Sequence, residues 1–155
     1  MPYKANLDSE DGYLYGGEVE DIALENGLKF CVDWQKGQKT GFFVDQRENR
    51  SLLERYAKGR SVLNMFCYTG GFSFYAMRGG AKVVHSVDSS AKAISLTNRN
   101  VELNFPGDPR HEAYAEDAFK YLERWEATTI SSSWIHQLSP NIKTYCAMPC
   151  KVTAN

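Results

Sequence analysis

Two glycines and two aspartates, each placed where an apolar segment ends, are the residues through which this chain could do chemistry. The stretch VLNMFCYTGGFSFYAMRGG, Val62 to Gly80, runs a strand-like segment into Gly70 and Gly71 and then into a helix-like one. In an open α/β sheet such a turn lies at the carboxyl ends of the strands, where ligands bind, and residues without Cβ permit positive φ and a close backbone approach. Asp88 ends the next strand-like run, near the roughly 20-residue offset at which a carboxylate accepts hydrogen bonds from a ribose diol. Asp117, in the AED of Ala115 to Asp117, follows a third such run. It is a candidate acceptor for an adenine amino group, with capping of the next helix as the alternative.

Together these residues point to an adenosine-bearing cofactor. The turn CYTGGFSF lacks the G-x-G-x-x-G spacing that seats a pyrophosphate on a helix N-terminus, and Phe72 and Phe74 crowd the place where a diphosphate would lie. A dinucleotide fits poorly, so a nicotinamide-dependent oxidoreductase is the weaker alternative. S-adenosylmethionine has no phosphate and needs only room above the glycines and a carboxylate for its ribose. The four cysteines, Cys31, Cys67, Cys146 and Cys150, have irregular spacings that imply no disulfide framework. His136, Cys146 and Cys150 match no common zinc pattern, and no metal site is expected.

The elements that must position these residues are legible in outline. With 155 residues, 43% hydrophobic and 24% charged, the chain has the composition of one globular domain with a real core. A net charge of -1 provides no general basic field for nucleic acid. No apolar run approaches the roughly 18 residues of a membrane helix, and MPYKANLDSEDGY lacks a leader's basic-then-apolar pattern, so a cytoplasmic protein is expected.

From Glu18 to Asp33 the pattern is β. Ile22 and Leu24 alternate with polar neighbours, Asn26-Gly27 signals a two-residue turn, and Leu28, Phe30 and Val32 alternate again, which predicts a hairpin with one buried face. TGFFVDQRENRSLLERYAKGR reads as a short strand ending near Val44, then a helix with Asp45 as N-cap, Glu48 completing a capping box and Gly59 at the stop. From Ser61 strands and helices alternate: SVLNMF, GGFSFYAMRGG, AKVVHSVD, SSAKAISLTNRNVELN, HEAYAED and AFKYLERW. Repeated β-α-β units predict a parallel, doubly wound sheet of which about half is present.

The segments GLKFCVDWQKGQKTGFFVDQRENR and VLNMFCYTGGFSFYAMRGGAKVVHSVDSSAKAI resemble the ribosomal RNA large-subunit methyltransferase I family. Its members are S-adenosylmethionine-dependent cytosine-C5 methyltransferases with a PUA RNA-binding domain, a β-rich linker domain and a class I Rossmann-like domain. The resemblance spans roughly Gly12 to Glu123. It implies an α/β fold in which a β-hairpin lead-in precedes the first half of a Rossmann-like methyltransferase sheet. It further implies S-adenosyl-L-methionine as cofactor and large-subunit ribosomal RNA as the parent family's substrate. By it, Gln46 and Arg47 border the cofactor pocket, Tyr68, Thr69, Gly70 and Gly71 form the cofactor loop, Asp88 binds the ribose and Asp117 meets the adenine. Residues 1–40 would be a linker-domain remnant, 41–124 the cofactor-binding half and 125–155 a non-native tail.

Two family features are missing. The 155 residues start near the linker hairpin, so no PUA domain is expected among them, and they contain neither the D-P-P-A/K-F motif expected soon after Leu122 nor a match to the later strands whose cysteine attacks cytosine C6 in that family. Cys67, in the cofactor loop, is expected to be a small buried thiol instead. The fragment is therefore expected to be inactive and a poor RNA binder, and its half-sheet to leave an unpaired apolar strand edge.

After Trp125 the sequence has no sustained periodicity. One synonymous coding of Trp125 to Thr153, read from its third nucleotide, spells GGNYDLIILDPPAFAKHKNVLRNALQGY, which contains the missing strand and motif. The Asp of that motif is fully determined by Trp134 and Ile135. A frameshift near Arg124 is the expectation that follows.

Overall fold

Asn26 and Gly27 fold the chain back on itself in the computed structural model, which describes residues 16–17, 21–34, 37, 41–128, 132–135 and 144–149. Both turn residues take positive φ, 48° and 82°, as a two-residue hairpin turn demands. Strands β1 (Ile22–Glu25) and β2 (Leu28–Cys31) run antiparallel, with Glu25 opposite Leu28 and Ala23 opposite Phe30. This register puts Glu25, not Leu24, on the face that carries Leu28 and Phe30. Glu25 is buried and Leu24 is 73% exposed, which corrects the expectation that Leu24 faces inward.

The buried carboxylate is held by Arg50, whose Nε and Nη2 donate to its two oxygens at 2.7 Å each. The Tyr75 hydroxyl adds a third bond at 2.9 Å, and Arg50 Nη1 donates to the Phe43 carbonyl at 3.1 Å. Outside the hairpin, Lys29 N–H donates to Asn104 Oδ1 at 2.8 Å while Asn104 Nδ2 donates back to Lys29 O at 2.7 Å. Cys31 N–H donates to Asn100 Oδ1 at 2.6 Å.

The stretch from Gly41 to Phe43 is irregular, not a strand, because its two aromatics are drawn to different partners. Phe42 packs on Phe30 with centroids 4.9 Å apart, and Phe43 meets Tyr68 edge-on at 5.6 Å. A 3-10 turn over Val44–Gln46 then leads into helix α1 (Arg47–Ala57). Asp45 lies inside that turn and its carboxylate accepts from Gln46 Nε2 at 3.1 Å. It caps nothing, which corrects the predicted capping box. Gly59, with φ of 72°, follows the helix as expected.

From Ser61 the predicted alternation is realised: β3 (Ser61–Met65), α2 (Gly71–Arg78), β4 (Val83–Asp88), α3 (Ala91–Asn104), β5 (His111–Ala115) and α4 (Ala118–Thr128). Strands β3, β4 and β5 are parallel neighbours. One core, with Phe30, Val62, Phe74, Tyr75 and Val84, lies between the sheet, α2 and the hairpin, and a second, with Leu63, Met65, Val87, Ala118 and Tyr121, lies under α4. A buried polar chain crosses the first layer: Asn64 Nδ2 donates to Ser73 Oγ at 2.9 Å, Ser73 and Ser86 hydroxyls meet at 2.6 Å, and Ser86 meets His111 Nε2 at 2.8 Å.

The edge of β3 is paired, contrary to expectation. Strand β7 (Thr144–Pro149) lies antiparallel against it and strand β6 (Ser132–Ile135) continues the sheet, giving the order β5-β4-β3-β7-β6. Ladder bonds come from the backbone, so an extended segment of almost any sequence can satisfy such an edge. Residues 1–15 of the expected linker remnant, and His136 and Cys150 of the tail, lie outside the described residues.

Candidate functional site

The chain leaves β3 through a loop in which left-handed residues recur: Phe66, Tyr68 and Gly70 have φ of 56°, 49° and 80°. Side chains with a Cβ rarely adopt this conformation, so the surrounding structure must impose it. Strand β4 supplies Val87 O to Cys67 N–H at 3.1 Å and Asp88 Oδ2 to Tyr68 N–H at 3.0 Å. Helix α3 supplies Thr97 Oγ1, donating to Tyr68 O at 2.9 Å, and Asn100 Nδ2, donating to Thr69 O at 3.2 Å. The Tyr68 hydroxyl donates to Gly41 O at 3.3 Å, tying the loop to the segment before α1.

The paired glycines have a reason within the protein. A Cβ on Gly70 would stand 2.7 Å from Thr97 Cγ2 and 2.8 Å from Phe74 Cζ, and one on Gly71 would stand 3.2 Å from Arg50 Cδ. Their missing side chains are thus explained by packing and, at Gly70, by backbone conformation. Close approach of a cofactor is not needed to account for them.

Beside this loop lies a cleft of about 310 Å³ lined by Asp33, Gly37, Tyr68, Asp88, Ser90, Lys92, Ala93 and Leu96. Asp88 is locked there, with Oδ2 on Tyr68 N–H and Oδ1 on Ser90 N–H at 2.9 Å. A carboxylate offers about four acceptor positions, so two backbone donors leave capacity for a diol. Lys92 Nζ is 2.6 Å from Asp33 Oδ2, and with two carboxylates and an already paired cation the lining is ill suited to a diphosphate. The donor set fits a nucleoside without phosphate.

The structure gathers the predicted residues unequally. Tyr68 and Asp88 line the cleft, and Thr69, Gly70 and Gly71 form the turn beside it. Asp117 lies just past β5, where Ala115 is opposite Asp88. Its Oδ1 accepts from the N–H groups of Phe119 and Lys120, both at 3.0 Å, so it does cap α4. Gln46 and Arg47 do not line the cleft. Gln46 Oε1 accepts from Asn49 Nδ2 at 2.8 Å, and Arg47 is half-exposed beside Glu48. Asp33, Lys92, Thr97 and Asn100 went unread in the sequence. Thr97, Asn100 and Asn104 recur at helical spacing on one face of α3, and that polar stripe beside the apolar Ala93, Ile94 and Val101 was the available signal.

Cys67 is buried within the loop. Burial, followed by the nearby Asp88 carboxylate, pushes its thiol up to about 12, against a weaker opposing hydrogen bond from Thr97. It stays protonated at neutral pH and cannot act as a thiolate nucleophile. Among the described residues no group of His, Cys, Asp and Glu could hold a metal ion, and no helix is long and apolar enough to cross a membrane.

Residues 2–126 match a family model described as S-adenosylmethionine-dependent methyltransferase. A ribosomal RNA large subunit methyltransferase I from Tolumonas auensis is 45% identical over 125 residues, which cover 79% of this chain and 32% of that protein. A ribosomal RNA large subunit methyltransferase from Deinococcus radiodurans is 45% identical over 76% of this chain and 30% of its own length. Among solved structures, a methyltransferase-like protein in complex with SAH superposes with a TM-score of 0.67 at 30% identity, over 84% of this chain and 37% of that one. The chain spans about a third of the length of the curated relatives it matches.

Proposed function

The chain belongs to the S-adenosylmethionine-dependent methyltransferase family, and we propose that it binds that cofactor through Asp88 without itself methylating RNA. The observation that carries this reading is the Asp88 carboxylate, fixed in the cleft by two backbone donors and left with acceptor capacity for a ribose diol. Tyr68, Thr69, Gly70 and Gly71 hold the loop that shapes the site, and Asp117 faces the base from the neighbouring strand end, whereas Gln46 and Arg47, at the entry to α1, stand outside the cleft lining. Residues 1–40 act as a hairpin-bearing lead-in, 41–124 as the cofactor-binding half, and 125–155 as a tail foreign to the family. The match ending at residue 126 supports that last division.

When bound, the cofactor supplies an electrophilic methyl group. Cytosine C5 accepts a methyl group only after a nucleophile has added at C6. Cys67 is protonated, and these 155 residues include no D-P-P-A/K-F motif. Large-subunit ribosomal RNA is the substrate named for the relatives, and we assign it, with a cytoplasmic setting, to the parent enzyme. Titration calorimetry with S-adenosylhomocysteine and with NAD tests the cofactor, and radiolabelled methyl transfer to unmodified large-subunit RNA tests the chemistry. Binding of S-adenosylhomocysteine alone, with no transfer, is the expected result. Preference for NAD would overturn the cofactor, and turnover near that of a frame-restored enzyme would overturn the inactivity.

A further inference from the structure

Helix α4 is lightly held, and its buried tyrosine is tied to the sheet through a histidine. Helix α2 buries Phe74, Tyr75, Ala76 and Met77. Among the described side chains, α4 reaches the second core through Ala118, Tyr121 and the partly buried Leu122. Few buried apolar contacts put an element at the low end of local stability. Tyr121 is 4% exposed, and its hydroxyl meets His85 Nδ1 at 2.5 Å.

The register of the sheet decides what surrounds that imidazole. His85 is opposite Leu63 on β3 and Glu112 on β5, and Tyr114, two residues beyond Glu112, shares its face of the sheet. The His85 ring lies 5.5 Å from that of Tyr114 and 6.1 Å from that of Tyr121, and the two tyrosine rings are 4.7 Å apart. From α4 the Arg124 guanidinium stands 4.8 Å over the Tyr121 ring. Glu112, an exposed carboxylate, accepts from the Tyr114 hydroxyl. His111 turns to the other layer, where it meets Ser86. A proton added to His85 is therefore placed under α4, among aromatic rings, with Arg124 as a second cation and Glu112 as the facing anion. Burial outweighs the pull of Glu112 and holds the imidazole below its ordinary value of 6.5. A neutral imidazole can accept the Tyr121 hydroxyl proton, whereas a doubly protonated one must reverse the bond.

We propose that His85 and Tyr121 form a proton-sensitive latch that sets how firmly α4, and with it the turn at Asp117, is docked on the sheet. The latch stands on its own contacts, and its consequence at Asp117 rests on the cofactor reading above. Undocking returns the imidazole to water, where it binds protons more readily, so docking is full above pH 6.5 and weakens as pH falls. At about pH 5.5 a solvated imidazole is protonated about ten to one, so the docking constant can fall by up to about tenfold.

Hydrogen exchange of the α4 amides, corrected for the intrinsic rate at each pH and compared with α2, reads that constant in the ligand-free chain. Between about pH 7.5 and about pH 5.5 the protection of α4 relative to α2 should fall towards tenfold in the wild type. His85→Asn keeps a polar atom near the Nδ1 position and does not titrate, so it should abolish the pH dependence while retaining most of the protection at the higher pH. Tyr121→Phe keeps the ring and should lower α4 protection at the higher pH roughly fivefold, with α2 unaffected. A flat wild-type ratio, or a Tyr121→Phe ratio equal to wild type, would overturn the latch. A loss shared equally by α2 and α4 would assign the proton to His111 and overturn it as well. Saturating S-adenosylhomocysteine should raise α4 protection and shrink its pH dependence. Protection of the loop from Tyr68 to Gly71 without any change in α4 would overturn the coupling to Asp117. Protection of neither would count against the cofactor reading, while the ligand-free ratios would still decide the latch.

Discussion

Replacing Arg50 by methionine should be among the most damaging single substitutions in this chain. Arg50 and Glu25 have side chains only 4% and 6% exposed, joined by two bonds of 2.7 Å. Deleting the guanidinium leaves a buried carboxylate with only the Tyr75 hydroxyl as partner and takes one donor from the Phe43 carbonyl, which keeps the Gln46 N–H at 3.2 Å. Breaking a buried pair from one side costs about 3–5 kcal/mol, a large share of the roughly 5–15 kcal/mol that holds a domain together. With a urea dependence of about 2 kcal/mol per molar, the midpoint should fall by roughly 2 M. The double variant Glu25→Leu, Arg50→Met removes both charges and should recover most of that loss, less about 1 kcal/mol for the bond Tyr75 no longer makes. Urea melts followed by circular dichroism decide the matter. A shift below about 0.5 M for the single variant, or a double variant that loses the sum of the two singles, would refute the reasoning. Because Arg50 also packs against Gly71, the single variant should weaken S-adenosylhomocysteine too.

Asp88→Ala should lose up to about 1.5–3 kcal/mol for each of two charge-assisted ribose bonds, and Asp88→Asn less, since it keeps one acceptor; unchanged calorimetric affinity would leave Asp88 as a loop support only. His111 is pushed down to about 4 by burial first and by His85, against the pull of Asp108 and Glu112. The unfolded chain therefore binds more protons than the folded one as pH falls from 6.5. Stability is full above that pH, declines towards pH 4, and loses about 3 kcal/mol by then. Melts between pH 7 and pH 4 should show a slope that His111→Asn flattens, and equal slopes would discount the histidine. Cys67, protonated far above neutrality, should resist iodoacetamide at about pH 8 in the native chain, and peptide mass mapping that finds it alkylated would place the loop in solvent. Resequencing across the Arg124 codon should reveal an insertion or deletion, whereas downstream bases that encode no D-P-P-A-F in any phase would end the frameshift account.

Local rules carried the sequence reading a long way and failed where a distant partner decided. Asn26-Gly27, the strand and helix alternation and Asp88 at the end of β4 follow from turn chemistry and periodicity, which act within a few residues. Leu24 was misplaced because a two-residue turn pairs Glu25 with Leu28, and a glutamate goes inside only when an arginine 25 positions along is there to meet it. Asp45 reads as a cap by composition, yet Phe42 and Phe43 pull the chain into a tighter turn first. Gly70 pointed to a ligand, although the atoms that exclude a side chain are those of Thr97 and Phe74. The predicted hydrogen-bonding role of Asp117 as a cap is visible in the structure, because a cap is settled within three residues.

The two asparagines that flank the hairpin turn helix α3 into a surrogate strand. Alternate residues on β2 advance by about 6.6 Å, and residues four apart on a helix advance by about 6.0 Å. Asn100 and Asn104 can therefore meet Cys31 and Lys29 in step, and Asn104 both donates and accepts as a neighbouring peptide group would. A free β2 margin would be a template for another chain's backbone, the usual start of edge-to-edge aggregation. Here the template is already occupied, by amides that end after two rungs and offer no further margin of their own. Among the described residues the β2 margin is covered without a third strand, and replacing either asparagine by leucine would reopen a docking edge before it unfolded anything.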